Sequence, residues 1–298
     1  MKPTFTLYLY DRKYSRHTIR VYLLKADRFK VWAKDNHISP KKITYKKLLE
    51  YIKHLRSKNY QPQSINGELN AIRQYFNYLI SENYRGDNPA TDLIVKGTPK
   101  KVLHNLLNTE ELEDLYYSYE THHKNIHVHA SLSRDKVLLG FIVFQGITAE
   151  ELYKLKLEHL QLQKGKLYIP STKKSNSREL KLHASQIIAL QDYTENVRSL
   201  IIHYSRTTQD EEQFFYSSKS QINGMVTRIS KKIKKYNAKA KNHNHLRASI
   251  IVNWLKLYDD LRQVQYLAGH KNITSTEAYV QNDLEELHKV VNTLHPLS

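Results

Sequence analysis

The chain of 298 residues carries 47 Lys and Arg against 29 Asp and Glu, a formal net charge of +18, with an apolar share of 40%. Length and apolar content exclude a disordered chain and allow two domains with separate cores. The absence of cysteine excludes disulfides, thiolate metal sites and a Cys nucleophile.

The positive balance implies a polyanionic partner, with nucleic acid the first candidate, through counterion release and electrostatic steering. It is uneven: residues 1–100 hold 20 Lys and Arg and 8 Asp and Glu, a net +12. The N-terminal third is therefore expected to be a major contact surface. No apolar run approaches the ~20 residues of a membrane span. Met1-Lys2-Pro3-Thr4 leads into polar, aromatic sequence instead of a signal-peptide core. No membrane contact and a cytoplasmic location are expected.

Ser15 precedes apolar residues at Ile19, Tyr22, Leu23, Ala26, Phe29 and Ala33, the spacing of one face of a capped helix. Its other face carries Arg16, Arg20, Lys25, Arg28 and Lys34. A second helix is predicted from Thr44, with Leu48, Leu49, Ile52 and Leu55 inward. A third follows Pro62-Gln63-Ser64, runs through Ile65, Leu69, Ile72, Phe76 and Leu79, and stops near Asn83 to Pro89. Each basic face reads either as a solvated surface or as a DNA contact, and three in succession with few acids favour the contact. The period fades after Asp87, and residues 96–108, with Gly97, Pro99, Lys100 and Lys101, read as a basic linker between domains 1–95 and 109–298. Such a linker either lies along a phosphate backbone or is a plain tether.

Asn108 or Thr109 caps an acidic-start helix at Glu110-Glu111-Leu112-Glu113. Another helix runs from Arg134-Asp135 to Phe144 and breaks at Gly146, and a further one spans Ala149 to about Leu157. Lys166–Ile169 and Glu179–Leu182 read as strands of a hairpin with a polar, basic tip from Ser171 to Arg178. Helices resume at Ser185 to about Tyr204, Ser220 to about Tyr236, Asn244 to about Leu257 and Asp260 to about Ala268.

The last quarter gathers His243-Asn244-His245-Leu246-Arg247, then Leu267-Ala268-Gly269-His270, then Tyr279. Cleaving a phosphodiester without metal needs a nucleophile, cations or donors on the non-bridging oxygens, and an acid for the leaving 5′-oxygen. Arg247 offers planar bidentate donation, His270 a donor, Lys173 at the hairpin tip an acid, and Tyr279 a nucleophile. Taken alone, each is more often structural, and the chain has 22 tyrosines.

Order and spacing shift that balance. Leu246-Arg247, the run Asp260-Leu261-Arg262-Gln263-Val264-Gln265, Leu267-Ala268-Gly269-His270, Ser275-Thr276 and Tyr279, nine residues past His270, resemble the C-terminal signature of the tyrosine recombinase family (phage integrase, Xer-like). Ser15-Arg16-His17-Thr18-Ile19, Ser64-Ile65-Asn66, Ala71-Ile72-Arg73 and Asn88-Pro89-Ala90 resemble its core-binding domain. Arg134-Asp135 and Gly146 with Glu151-Leu152 resemble the start of its catalytic domain.

The resemblance covers nearly the whole chain and implies a mainly α fold: a helical, SAM-like core-binding domain followed by a mostly helical catalytic domain with a small β-hairpin. It implies site-specific strand exchange through a 3′-phosphotyrosyl intermediate, with no cofactor or metal. The implied partner is double-stranded DNA with paired or inverted sites, bound by a homotetramer assembled from monomers. Arg16, Arg20, Arg73, Lys100 and Lys101 are the expected DNA contacts, and Tyr279, Arg247, His270, Lys173 and Asn244 the expected catalytic residues. Leu284, Leu287, Val290, Val291 and Leu294 in the tail either pack on their own domain or, as the resemblance implies, dock on a neighbouring protomer.

Two positions depart from the family pattern. Thr148 stands where the family carries its first catalytic Arg, and Asn244, between His243 and His245, stands where it carries His. A Thr hydroxyl donates one neutral hydrogen bond and no charge, so an uncompensated loss would slow cleavage ~10²–10³-fold by analogy with removing one preorganised donor. Either another cation (Lys174, Lys154 or a neighbouring His) is recruited to the vacant place, or the protein binds recombination-like DNA sites and cleaves poorly or not at all. A non-catalytic architectural protein and a monomeric type IB topoisomerase are the rival readings.

Overall fold

The computed structural model describes residues 4–97, 104–206 and 208–280. The chain divides into two compact units, Met1–Lys101 and Val102–Ser298. Lys100, Lys101 and the tail beyond Val280 lie outside the described residues. Among the described residues no helix is long and apolar enough to cross a membrane.

The N-terminal unit is built from α1 (Phe5–Asp11), α2 (Arg16–Asp35), α3 (Tyr45–Ser57) and α4 (Pro62–Ser81). The side chains of Thr4, Ser15 and Thr44 accept from the amides of Leu7, Thr18 and Lys47, and Pro62 opens α4 where its missing N–H costs nothing. Helix α1 was not expected, because its polar aromatic sequence conceals the buried set Phe5, Tyr8 and Leu9. The core is aromatic, with Phe29 edge-on to both Tyr51 and Phe76.

All four helices end in the same way. Lys13, His37, Asn59 and Asn83 adopt left-handed φ of 57–59°, and the next residues (Tyr14, Ile38, Tyr60, Tyr84) bond back to the last turn and pack on the core. The aperiodic stretch after Asp87 remains part of this unit. Arg73 donates to the carbonyls of Ala90 (3.0 Å) and Leu93 (3.3 Å), and Asn66 exchanges two hydrogen bonds with the Val95 backbone.

The C-terminal unit runs α5 (Thr109–Tyr117), α6 (Ile126–Gln145), α7 (Ala149–Lys154), β1 (Leu160–Gln161), β2 (Lys166–Ile169), β3 (Arg178–Lys181), α8 (Ile187–Asp192), α9 (Arg198–His203), α10 (Lys219–Ile233), α11 (His243–Leu257) and α12 (Leu261–Ala268). Residues 274–280 form a further helical stretch. Helix α6 is buried on almost every side from Val137 to Val143 and forms the hub. It starts eight residues before the expected Arg134, because Asn125 caps a His- and Ser-rich turn that has no apolar period.

The strands form one antiparallel sheet in the order β1-β2-β3, so the expected hairpin gains a short third strand. Strand β3 opens at Arg178, one residue before the expected Glu179. The helix expected from Ser185 to Tyr204 is broken by a π turn at Tyr193–Val197. Buried Asp135 ties α6 to α10 by accepting from Arg228 at 2.9 Å, beside its own neighbour Arg134.

Candidate active site

Two left-handed glycine corners shape the site. At the end of α6, Gly146 (φ 60°) bonds to Ile142 and Ile147 bonds to Phe141, reversing the chain so that Thr148 begins α7. At the end of α12, Gly269 (φ 69°) bonds to Tyr266 and His270 bonds to Gln265. The second is the six-to-one closure that follows a helix once a residue adopts positive φ, whereas at the first Gly146 closes the turn with a bond four residues back and Ile147 reaches one residue further, to Phe141. Buried Arg247, one turn into α11, donates to the carbonyls of Gly146 and Ala268 and so clamps the two corners together.

Thr148 does not face outward as a donor. Its hydroxyl and its amide both donate to Glu151 Oε2, each at 2.8 Å, in a capping box that starts α7. The other oxygen, Glu151 Oε1, accepts from Arg178 Nη1 at 2.6 Å, with both side chains fully buried. Burial alone would raise the Glu151 carboxyl, but the charge and hydrogen bond of Arg178, with the Thr148 amide and Arg247, hold it down at about 2.

His270 Nδ1 lies 2.9 Å from the hydroxyl of buried Thr276, and its ring stacks on Tyr279 with centroids 5.9 Å apart and planes at 8°. Burial first, then the positive charges of Arg247 and Arg178, push His270 down to about 4, so the imidazole is neutral at pH 7. Half-buried Tyr279 packs on Ile251, Val264 and Ala268. Its phenol is raised by burial, with Arg247 opposing.

The hairpin tip is a turn closed by Thr172, whose hydroxyl accepts from the amides of Lys174 (3.1 Å) and Ser175 (3.0 Å). It docks on the second corner: Ser175 bridges to His270, and the Asn176 amide donates to the Gly269 carbonyl at 2.9 Å. Lys173 and Lys174 are exposed at this tip, two residues and one residue before Ser175. Lys154 donates to the Ser171 carbonyl at 2.8 Å and so supports the base of the turn.

The structure thus brings Arg247, His270, Tyr279, Thr148 and Glu151 together, with Lys173 on the adjoining tip. Asn244 is exposed in the first turn of α11, while His243 is half-buried and its imidazole is lowered by burial. His245 is buried, its Nε2 3.1 Å from the His104 carbonyl. Arg16 and Arg20 are exposed on α2, whereas the Arg73 guanidinium is engaged by Ala90, Leu93 and Asn70 within its own unit. Among the described residues no group of three His, Asp or Glu could hold a metal.

The residue that sequence reasoning missed is Arg178. A usable signal was present: in the strand alternation Arg178 shares the inward face with Leu180, while Glu179 and Lys181 point out. An arginine at an inward strand position requires a partner, and that partner is Glu151.

A fold with paired left-handed corners around a buried arginine, a neutral histidine and a stacked tyrosine defines a class, and comparison with known proteins agrees. Residues 105–286 match the phage integrase family, and residues 4–83 match the phage integrase N-terminal SAM-like domain. The chain belongs to the phage integrase family and is an enzyme of the tyrosine recombinase type.

It is 30% identical to tyrosine recombinase XerC of Natranaerobius thermophilus, over 85% of this chain and 83% of that one. It is 25% identical to tyrosine recombinase XerD of Vibrio cholerae, over 96% and 93%. Among solved structures, XerH site-specific recombinase in a post-cleavage complex with a palindromic difH substrate shares the fold, with a TM-score of 0.71 at 19% identity over 96% of this chain and 82% of that one.

Proposed function

We propose that this chain performs site-specific recombination of duplex DNA through a phosphotyrosyl intermediate, and that its departures at Thr148 and Asn244 leave the cleavage chemistry intact. The observation that carries this reading is the cluster of Arg247, His270 and Tyr279 around two helix ends within one chain, so that the nucleophile is supplied in cis.

The Tyr279 hydroxyl attacks the scissile phosphorus, its proton passing to solvent. The bond to the 5′-oxygen breaks, leaving DNA joined to Tyr279 by its 3′-phosphate and a free 5′-hydroxyl. The bond energy stays in the phosphotyrosyl link, so religation needs no nucleotide. Arg247 stabilises the charge on the non-bridging oxygens. His270 acts as a neutral donor: Nδ1 lies against the Thr276 hydroxyl, and in the tautomer in which that hydroxyl donates, the ring proton sits on Nε2, away from that bond. Lys173, on the exposed tip, protonates the leaving oxygen.

DNA with paired or inverted sites, bound by four copies, is the proposed partner, supported by the net charge of +18 and by the recombinases to which the chain is similar. Arg16 and Arg20 are the proposed contacts of the unit formed by residues 1–95, joined by the basic segment 96–108 to a catalytic domain from residue 109. A cytoplasmic site of action follows from a DNA substrate.

The test uses a nicked duplex bearing a site selected from random sequence, so that the cleaved fragment diffuses away and traps the intermediate. The wild-type chain should form a covalent complex that survives denaturation and is lost in Tyr279→Phe. DNA binding without any adduct would identify an architectural protein instead.

A further inference from the structure

If position 148 carries no cation, the charge must come from elsewhere, and one group in the structure is built for it. We propose that Arg178 supplies the second guanidinium of the phosphate clamp, standing in for the arginine absent at position 148. The proposal rests on the phosphotyrosyl reading above and adds a catalytic residue to it.

Thr148 is fully engaged, since both its donors go to Glu151 Oε2. Arg178 is not. Its side chain is only 2% exposed, Nη1 is held by Glu151 at 2.6 Å, and Nε and Nη2 are buried without a hydrogen-bond partner. Buried guanidinium nitrogens with nothing to donate to are costly, and a phosphate oxygen would relieve that cost.

Their position is that of the reaction. The guanidinium lies so close to Gly269 that any Cβ there would overlap it, and His270 is the next residue. The positive charges of Arg178 and Arg247 both act on His270. Two guanidinium groups facing one carboxylate, Glu151, leave this pocket one positive charge in excess, which matches the single negative charge of a phosphodiester.

The four other cations considered from sequence are placed differently. Lys154 is tied to Ser171, Lys174 is exposed at the tip, half-buried His243 has its imidazole lowered by burial, and His245 is directed to the His104 carbonyl. In this structure the free nitrogens of Arg178 are sealed from solvent, so a phosphate reaches them when the tip lifts from Gly269 and His270. That tip is held there by the Asn176 amide and the bridge at Ser175, and it also carries Lys173. Lifting would thus uncover the clamp as it repositions the proposed acid.

The test compares wild type with the double variant Glu151→Gln/Arg178→Gln, which removes both buried charges together and keeps an amide pair of similar shape. Single-turnover adduct formation is measured on the selected nicked duplex and on the same duplex with a methylphosphonate, which carries no charge, at the scissile position. On the ordinary phosphate the double variant should lose ~10²–10³-fold in rate, with duplex affinity within about twofold of wild type. On the methylphosphonate the deficit should shrink to about tenfold or less, an effect that a purely structural role for Arg178 would not produce.

An equal deficit on both substrates overturns the proposal, and so does cleavage within about threefold of wild type. If the double variant fails to fold, Arg178→Lys replaces it, with the same reduced deficit on the neutral substrate expected. Absence of any wild-type adduct would overturn the phosphotyrosyl reading itself, whereas a normal wild-type adduct with an indifferent variant overturns only the assignment of Arg178.

Discussion

In the N-terminal unit four helices end at Lys13, His37, Asn59 and Asn83, with φ of 57–59°, whereas in the C-terminal unit the corners beside Tyr279 are Gly146 at 60° and Gly269 at 69°. The backbone device is the same, but the residue that fills it differs. A side chain in this conformation costs ~1–2 kcal/mol, and the N-terminal unit, whose helix ends face solvent, tolerates that cost four times. At Gly269 the obstacle is different: a Cβ would occupy the space of the Arg178 guanidinium. At Gly146 a Cβ would meet Ile250 and Arg247 at 3.7–3.8 Å, an ordinary contact. Backbone strain is therefore common to both units, and the steric demand belongs to one corner of the site.

The largest expected effect that separates these cases is Gly269→Ala. Displacing Arg178 from a fully buried ion pair, added to the positive-φ cost, should destabilise the C-terminal unit by ~3–5 kcal/mol and abolish adduct formation. Gly146→Ala should cost only ~1–2 kcal/mol by urea unfolding and keep measurable cleavage. Equal losses in the two variants would contradict the distinction between strain and overlap.

Acid should move the two units in opposite directions, a smaller effect. In the C-terminal unit His270 is lowered to about 4 and Glu151 to about 2, so the unfolded chain binds more protons than the folded one. Stability is lost as pH falls from about 6.5 through 4 and towards 2. In the N-terminal unit burial raises Glu68 despite its 2.7 Å pair with Arg28, so its contribution is favourable in acid and is lost as pH rises through the raised value. Hydrogen exchange, corrected for intrinsic rates, should show protection declining in α11 and α12 between pH 6.5 and 4, and that decline should flatten in His270→Gln. A parallel decline in α4 would contradict the assignment.

How much of this was legible in the sequence follows the same division. Ser15, Thr44 and Pro62 are local start signals that need no tertiary context, and the helices after them begin at those positions. Helix α1 was hidden because its buried set Phe5, Tyr8 and Leu9 is interleaved with exposed Leu7 and Tyr10 over barely two turns, and the start of α6 because its His- and Ser-rich turns carry no clear apolar period; caps at Thr4 and Asn125 hold them. At the site, Arg247, His270 and Tyr279 could be named from their order, since motif spacing survives without coordinates. Arg178 could not be named in that way. At the end of Ser171-Thr172-Lys173-Lys174-Ser175-Asn176-Ser177 an arginine reads as a solvated loop charge; its alternation with Leu180 was a local hint of an inward position, and the pairing with Glu151, 27 positions away, shows why it is buried. The role of Thr148 was hidden for the same reason, because a vacancy in a motif does not show what its hydroxyl bonds to.

The central claim is that the cleavage site is already supplied with positive charge although position 148 is Thr, and the smallest expected effect tests it most directly. Thr148→Arg should cleave the nicked duplex no faster than wild type, and somewhat more slowly because it loses the capping box with Glu151. A gain of ~10²-fold or more in the single-turnover rate of adduct formation would show that position 148 is a true vacancy, and would contradict the account.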